Sequence, residues 1–178
     1  DAAYSVTDSK GSYIRRINVE IAPLTDEEFK KIAGRKIGTF TVFQETYHRE
    51  TYTKMHPTGK KRDMDWRLYV MDRALSNGLH DVGIGALFGL YDWRFEVLAL
   101  LMHSQHLMDT FGIGPHTISI PRIEPAEAPC AETVPHPVSD SDFMKLVAIL
   151  RCAVPYTGMI LSTRENGGMR NRLMDLGI

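Results

Sequence analysis

An alternation of short apolar runs with helix-forming stretches, met five times along the chain, constrains this sequence more than any other feature. The runs at 14–21, 38–44, 82–88, 116–121 and 158–161 predict strands, and helix signals follow each of them. Thr25 with Glu28 three residues on is a capping box, in which hydroxyl and carboxylate each satisfy a free N–H of the first turn, and Gly34 ends that helix. A second helix is expected over 63–77, closed by Gly78, after a long polar loop. Asp92 caps a third over 93–109, with Phe95, Leu98, Leu101 and Met102 as its apolar stripe at helical spacing. Ser139 and Asp142 open a fourth over 140–153, and a last helix is expected over 168–176. Residues 1–13 read as an irregular lead-in.

Five β-then-α units in a row predict an α/β fold with a parallel sheet, right-handed crossovers and helices outside. The continuous apolar runs at 40–43 and 159–161 suit strands buried on both faces. A doubly wound sheet carries a glycine-rich phosphate turn after its first strand, and Ala22-Pro23-Leu24-Thr25 is not one. A (β/α)8 barrel takes about 250 residues for eight units. Five units in 178 residues scale to that size, so the expectation is a partial TIM-type barrel, five-eighths of the whole. Lys plus Arg (21) nearly cancels Asp plus Glu (22), which excludes the basic excess of a nucleic-acid binder or a membrane-surface helix. Apolar stretches such as 97–102 are too short to span a bilayer, and no charged-then-apolar leader opens the chain, so a cytoplasmic protein is expected.

In barrels of this kind chemistry sits at the C-terminal ends of the strands. Three polar clusters fall there: Gln44 to Glu50, Pro121-Arg122, and Ser162 to Glu165. The histidines point less clearly. His48 and His56 have no HxH or HxxxH spacing and read as solvated or hydrogen-bonded rather than as metal ligands. His103 and His106 share a helix face and read as surface or packing residues, and His116 as structural. Cys130 and Cys152 show no CxxC or Cys-His spacing. The Gly83-Ile84-Gly85 pair lies inside a strand, where glycine permits close approach of another group.

The segments FQETYHRETY (43–52), WRLYVMDRAL (66–75), DVGIGALFGLYDWRFEVLALLMH (81–103), PHTISIPRIEPA (115–126) and AVPYTGMILSTRE (153–165) resemble radical S-adenosylmethionine (SAM) enzymes of the aromatic amino-acid lyase group. That group includes the 2-iminoacetate synthase of thiamine biosynthesis and the tyrosine lyase of FeFe-hydrogenase maturation. PHTISIPR with AVPYTGMILSTRE is more similar to the second branch. The resemblance implies a 4Fe–4S cluster on a CxxxCxxC loop, reductive cleavage of SAM to a 5′-deoxyadenosyl radical, and breakage of the Cα–Cβ bond of tyrosine to p-cresol and dehydroglycine. The hydrogenase branch continues to carbon monoxide and cyanide, using a second cluster on a C-terminal extension, and implies other hydrogenase maturases as partners. With only two cysteines, this chain has no CxxxCxxC loop and ligates neither cluster fully; no metal site is assigned to it. It reads as a fragment from about the third to the seventh barrel strand, inactive alone and prone to self-association through its two open sheet edges.

Site roles follow from the resemblance, position by position. Arg67 matches the arginine that pairs with the SAM carboxylate, the alternative being a helix-surface arginine. Gln44, Glu45 and Tyr47 fall where the family holds the SAM ribose, and strand register decides whether Gln44 or Glu45 faces it. Leu87 and Phe88 are expected to line the adenosyl pocket, and Arg122 to lie between SAM and substrate. Ser162 and Arg164 are expected on one side of the strand end, clamping the tyrosine carboxylate, with an Arg164 ion pair to Glu165 or Glu50 as the bland alternative. A barrel that kept the shell without radical chemistry, as a scaffold or binding module, is the competing class.

Overall fold

In a computed structural model of the chain, which describes residues 2–123 and 134–178, five parallel strands lie side by side in chain order. They are β1 (Val19–Glu20), β2 (Phe40–Thr41), β3 (Val82–Gly85), β4 (Thr117–Ser119) and β5 (Gly158–Ile160). The helices are α1 (Asp26–Ala33), α2 (Arg49–Met55), α3 (Met64–Leu68), α4 (Val70–Ser76), α5 (Trp93–Phe111), α6 (Asp140–Ala153) and α7 (Gly167–Asp175). Crossovers of one hand in strictly sequential order put every helix on the same side of the sheet, as in a barrel wall. A doubly wound sheet reverses its order partway. The expected α/β partial barrel is thus the observed architecture, open at β1 and β5.

The two sheet faces differ. On the helix side Phe40, Val42, Val82, Ile84, Ala86, Ile118 and Ile120 are buried, and Phe29 of α1 stands edge-on to Phe40 at 5.0 Å. On the other side Gly83, Gly85, Thr41, Thr117 and Ser119 form a patch of small residues. A Cβ on Gly83 would lie 2.5 Å from Thr117 Oγ1 and 2.6 Å from Thr41 Oγ1, and one on Gly85 would lie 2.8 Å from the Ser119 carbonyl oxygen. The two glycines therefore serve the close approach of neighbouring strands. Because backbone cannot yield as a side-chain tip does, Gly85→Ala is expected to destabilise the fold by about 1–3 kcal/mol, read from urea unfolding.

Local signals landed where expected. Thr25 Oγ1 accepts from the Glu28 N–H at 3.3 Å and Glu28 Oε2 accepts from the Thr25 N–H at 2.8 Å. Ser139 Oγ accepts from the Asp142 N–H at 3.1 Å. α5 runs two residues past the expected end at 109 and is closed by Gly112 in the left-handed region with φ 68°. Other expectations are corrected. The strand expected over 14–21 shrinks to two residues, because Tyr13 and Ile14 are exposed and this edge has a partner on one side only. The helix expected over 63–77 is broken at Tyr69, whose ψ of 17° ends α3 and begins α4. The polar loop before it contains α2, capped by His48. The run at 159–161 is not buried on both faces: Met159 is buried, but Ile160 is 42% exposed on the open inner side. Of the stripe assigned to α5, Phe95, Leu98 and Met102 face outward, exposed by 40%, 62% and 72%, while Leu101 packs against the core. The buried face of α5 is Trp93, Glu96, Val97, Leu100, Ser104 and Leu107.

Candidate functional site at the C-terminal ends of the strands

The ladder of β2 runs on past the strand, with the Gln44 N–H donating to the Gly85 carbonyl at 2.8 Å, and then turns sharply at Glu45. Glu45 has φ 70° and is the one non-glycine residue in the left-handed region among the described residues. That conformation costs of order 1–2 kcal/mol for a residue with a Cβ and persists where its surroundings enforce it. Here the Leu87 N–H donates to the Glu45 carbonyl at 2.7 Å, and the carboxylate is held by Arg67 Nη2 at 2.9 Å and approached by Lys61 Nζ at 3.8 Å. Arg67 is 7% exposed, so it is no helix-surface arginine, and its Nε donates to the Phe43 carbonyl at 2.5 Å. Its Nη1 has no hydrogen-bond partner among the described residues.

Glu45 and Arg67 are therefore brought together, with Leu87 beside them through the backbone. Gln44 is not: it is buried, and its Nε2 has no hydrogen-bond partner among the described residues. Phe88 lies past the end of β3, its backbone bridged to Arg122, and its side chain is fully buried in the core. Tyr47 turns away as well, its hydroxyl lying 2.8 Å from His103 Nδ1 on α5, and burial raises its phenol pKa far above the usual value.

The loop bearing Glu45 is anchored by a residue the sequence reading missed. Glu96, fully buried on α5, accepts a short hydrogen bond from Thr46 Oγ1 and another from the Tyr47 N–H at 2.9 Å. Burial raises the Glu96 pKa above its ordinary 4.5, against the pull of these two bonds. A carboxyl group with a raised folded pKa contributes stability that is present below the unfolded pKa and lost as pH climbs through the folded one. Glu96→Gln keeps an acceptor for Tyr47 and a donor for Thr46 without the charge. The variant is expected to gain on the wild type in melting temperature as pH rises from about 4.5 to 8, and a pH-independent difference would contradict this.

Arg122 is committed elsewhere than expected. Nε and Nη2 form a fork on Glu165 at 2.7 and 2.8 Å, Nη2 also reaches Asp140 Oδ1 at 2.8 Å, and Nη1 donates to the Val138 carbonyl at 3.0 Å. Its contact with Asp140 holds that carboxyl below the usual carboxylate range. Arg122 thus ties the end of β4 to the start of α6 and to the turn after β5. Ser162 and Arg164 stand in that turn, since β5 ends at Ile160, so strand alternation does not set their directions. Ser162 Oγ instead accepts from the Arg164 N–H at 3.2 Å. Glu165 belongs to Arg122, and the exposed Arg164 side chain has no ion pair among the described residues.

The histidines hold structural posts. His48 stacks on Tyr91 with ring centroids 3.6 Å apart, His56 Nδ1 lies 3.1 Å from the Tyr52 carbonyl, and His106 Nε2 lies 2.6 Å from Asp72 Oδ1. The exposed His116 stands just before β4, 3.9 Å from Asp81. Cys152 is a free, exposed thiol, and Cys130 lies outside the described residues. Among the described residues no three His, Cys, Asp or Glu side chains gather as a metal site, and no helix is long and apolar enough to cross a membrane.

The model of the Biotin and Thiamin Synthesis associated domain matches residues 119–178. The 2-iminoacetate synthases of Escherichia coli and Salmonella typhimurium are 33% and 32% identical to the chain over 166 residues, 91% of its length. The crystal structure of HydG, a maturase of the FeFe-hydrogenase, matches with TM-score 0.93 and 53% identity over 99% of this chain and 39% of that one. HydG from Carboxydothermus hydrogenoformans matches with TM-score 0.88 and 47% identity over 95% of this chain and 39% of that one. The chain belongs to the radical SAM proteins related to HydG and 2-iminoacetate synthase. It spans 43% of the length of the curated relatives it matches. Methylornithine synthase (PylB), at 20% identity and TM-score 0.69 over 91% of this chain and 45% of that one, shares the fold.

As part of a radical SAM barrel, the Glu45–Arg67 pair fits SAM. Its carboxylate suits paired hydroxyls, and the unpartnered Nη1 beside it suits a carboxylate. The 4Fe–4S cluster is another matter: two cysteines cannot supply a CxxxCxxC set, so the residues of this chain do not fit it.

Proposed function

We propose that the protein containing this chain is a radical SAM lyase that cleaves the Cα–Cβ bond of tyrosine to p-cresol and dehydroglycine, and goes on to carbon monoxide and cyanide for FeFe-hydrogenase maturation. The observation that carries this reading is the Glu45–Arg67 pair, buried at the end of a barrel strand with one guanidinium nitrogen left over. The identity of 53% and 47% to two HydG structures, against 33% and 32% to the 2-iminoacetate synthases, supports the hydrogenase branch. SAM supplies the oxidising radical once a 4Fe–4S cluster from outside this chain is bound, and a second cluster belongs to the same reading. Within the chain, Arg67 orients the SAM carboxylate, Glu45 accepts from the ribose hydroxyls, and Leu87 flanks the adenosyl group. Arg122 acts as a brace, holding through Glu165 the turn that presents Ser162 and Arg164 to the tyrosine carboxylate. The other hydrogenase maturases are the partners in this reading, and the isolated chain self-associates through its open edges.

A planar fork and a point charge are not equivalent on a carboxylate. Arg164→Lys in the full-length enzyme is therefore expected to lower tyrosine cleavage about a hundredfold, because a small misplacement of the reacting hydrogen costs about that much, while SAM binding stays unchanged. Near-normal cleavage would remove Arg164 from the substrate site.

The thiamine reading keeps one observation of its own, the Biotin and Thiamin Synthesis associated domain over residues 119–178. The reduced full-length protein, given SAM, tyrosine and iron, separates the alternatives. Release of p-cresol with infrared bands of iron-bound carbon monoxide and cyanide supports the hydrogenase branch. Release of p-cresol without those bands supports 2-iminoacetate synthase, and no p-cresol supports a non-catalytic scaffold.

A further inference from the structure

The outward side of α5 borders a cavity of about 530 Å³ that the strand mouth does not use. Its walls are apolar: Leu68 and Tyr69, at the corner between α3 and α4, line it together with Phe95, Leu98 and Met102 of α5. The polar side chains Tyr47, Asp72, His103 and His106 share the lining. Two of them leave buried atoms without a hydrogen-bond partner among the described residues, His103 Nε2 and Asp72 Oδ2. A buried orphan is costly and uncommon in native proteins, so two on the walls of one cavity call for a ligand group.

The neighbouring bonds define what that group must offer. Tyr47 Oη lies 2.8 Å from His103 Nδ1, its one hydrogen-bond partner among the described residues. If Nδ1 carried the hydrogen, the buried phenol proton would be a third orphan. The phenol therefore donates to Nδ1, and Nε2 carries the imidazole hydrogen. Burial holds the His103 pKa down to about 4, so the ring is neutral at pH 7 and Nε2–H is a donor seeking an acceptor. Asp72 Oδ1 already faces His106 Nε2 at 2.6 Å, while Oδ2 seeks a donor. A hydroxyl satisfies both atoms; an ammonium would satisfy Asp72 but oppose the His103 N–H. The aromatic and thioether walls favour a ring as the apolar body, and the volume lies in the ordinary range for small-molecule sites.

We propose that the groove between the α3–α4 corner and α5 binds a small aromatic molecule carrying one hydroxyl, whose oxygen accepts from His103 Nε2–H and whose proton is donated to Asp72 Oδ2. The assignment is independent of the reaction at the strand mouth.

Phenol and toluene differ by little except the hydroxyl, so calorimetric titration of the intact protein with each tests the site. Phenol is expected to bind saturably at one site per chain, and toluene at least tenfold more weakly. His103→Phe is expected to erase that preference. Leu98→Glu puts a charge in the wall at a position already 62% exposed, so it folds even where His103→Phe does not, and it is expected to weaken phenol binding at least tenfold. Equal affinity for the two probes, phenol binding unchanged by Leu98→Glu, or no phenol binding because another polypeptide segment fills the groove would each overturn the proposal.

Discussion

Arg122→Ala in the intact protein is expected to cost about 3–5 kcal/mol of stability, the usual effect of removing one member of a buried ion pair. The Arg122 side chain is 10% exposed and that of its partner Glu165 is 1% exposed, so the carboxylate left behind has almost no access to water. The loss is compounded by geometry. One guanidinium holds Glu165 through two bonds, Asp140 through a third and the Val138 carbonyl through a fourth, and its Cζ lies 4.8 Å from the Phe143 ring centroid. Lysine at this position keeps the charge but not the fork, so Arg122→Lys is expected to recover less than half of the loss. Thermal and urea unfolding check this. The same variants also separate a brace from a direct substrate contact: a residue touching tyrosine would raise KM at unchanged stability, whereas the brace lowers stability.

What was legible in the sequence was local. The capping pairs Thr25–Glu28 and Ser139–Asp142 announce helix starts three residues at a time, and the β-then-α rhythm leads to sequential strand order through crossover handedness alone. What was hidden depends on distant partners. Glu96 meets Thr46 and Tyr47 across 50 and 49 residues, and Arg122 meets Glu165 across 43, spacings at which no periodicity operates. The face of α5 was misread because residues 97–102 are apolar without a break, so a helical period fits more than one stripe. Only the buried carboxylate of Glu96, set among those apolar neighbours and with no use on a solvent face, could have marked the inward side. The left-handed turn at Glu45 carried no signal either, since glycine is the residue that ordinarily announces it. That turn makes the strand-alternation question about Gln44 and Glu45 moot: alternation ends at Gln44, and Glu45 is aimed by its own backbone.

Arg67→Ala in the full-length enzyme is expected to weaken SAM binding by about 1.5–3 kcal/mol, the worth of a hydrogen bond to a charged group. Folding will suffer too, which the sequence alone did not foresee. At 7% exposure Arg67 is the main counterion of a Glu45 carboxylate that is itself only 20% exposed, and it also satisfies the Phe43 carbonyl. Two variants read the effects together. Glu45→Gln retains the shape of the turn and an acceptor for Nη2 but leaves the buried Arg67 without its counterion, so stability should fall, and as the ribose loses a charged acceptor SAM affinity drops severalfold. Arg67→Lys preserves a positive charge near Glu45 but cannot reach Phe43, Glu45 and a ligand carboxylate at once from a single nitrogen. It is expected to recover much of the stability and little of the affinity. Calorimetric titration with SAM beside a melting curve for each variant reads both quantities. If SAM affinity is unchanged in Arg67→Ala while the melting temperature falls, Arg67 serves the turn alone, and the pair it makes with Glu45 belongs to the architecture of the strand end rather than to the cofactor.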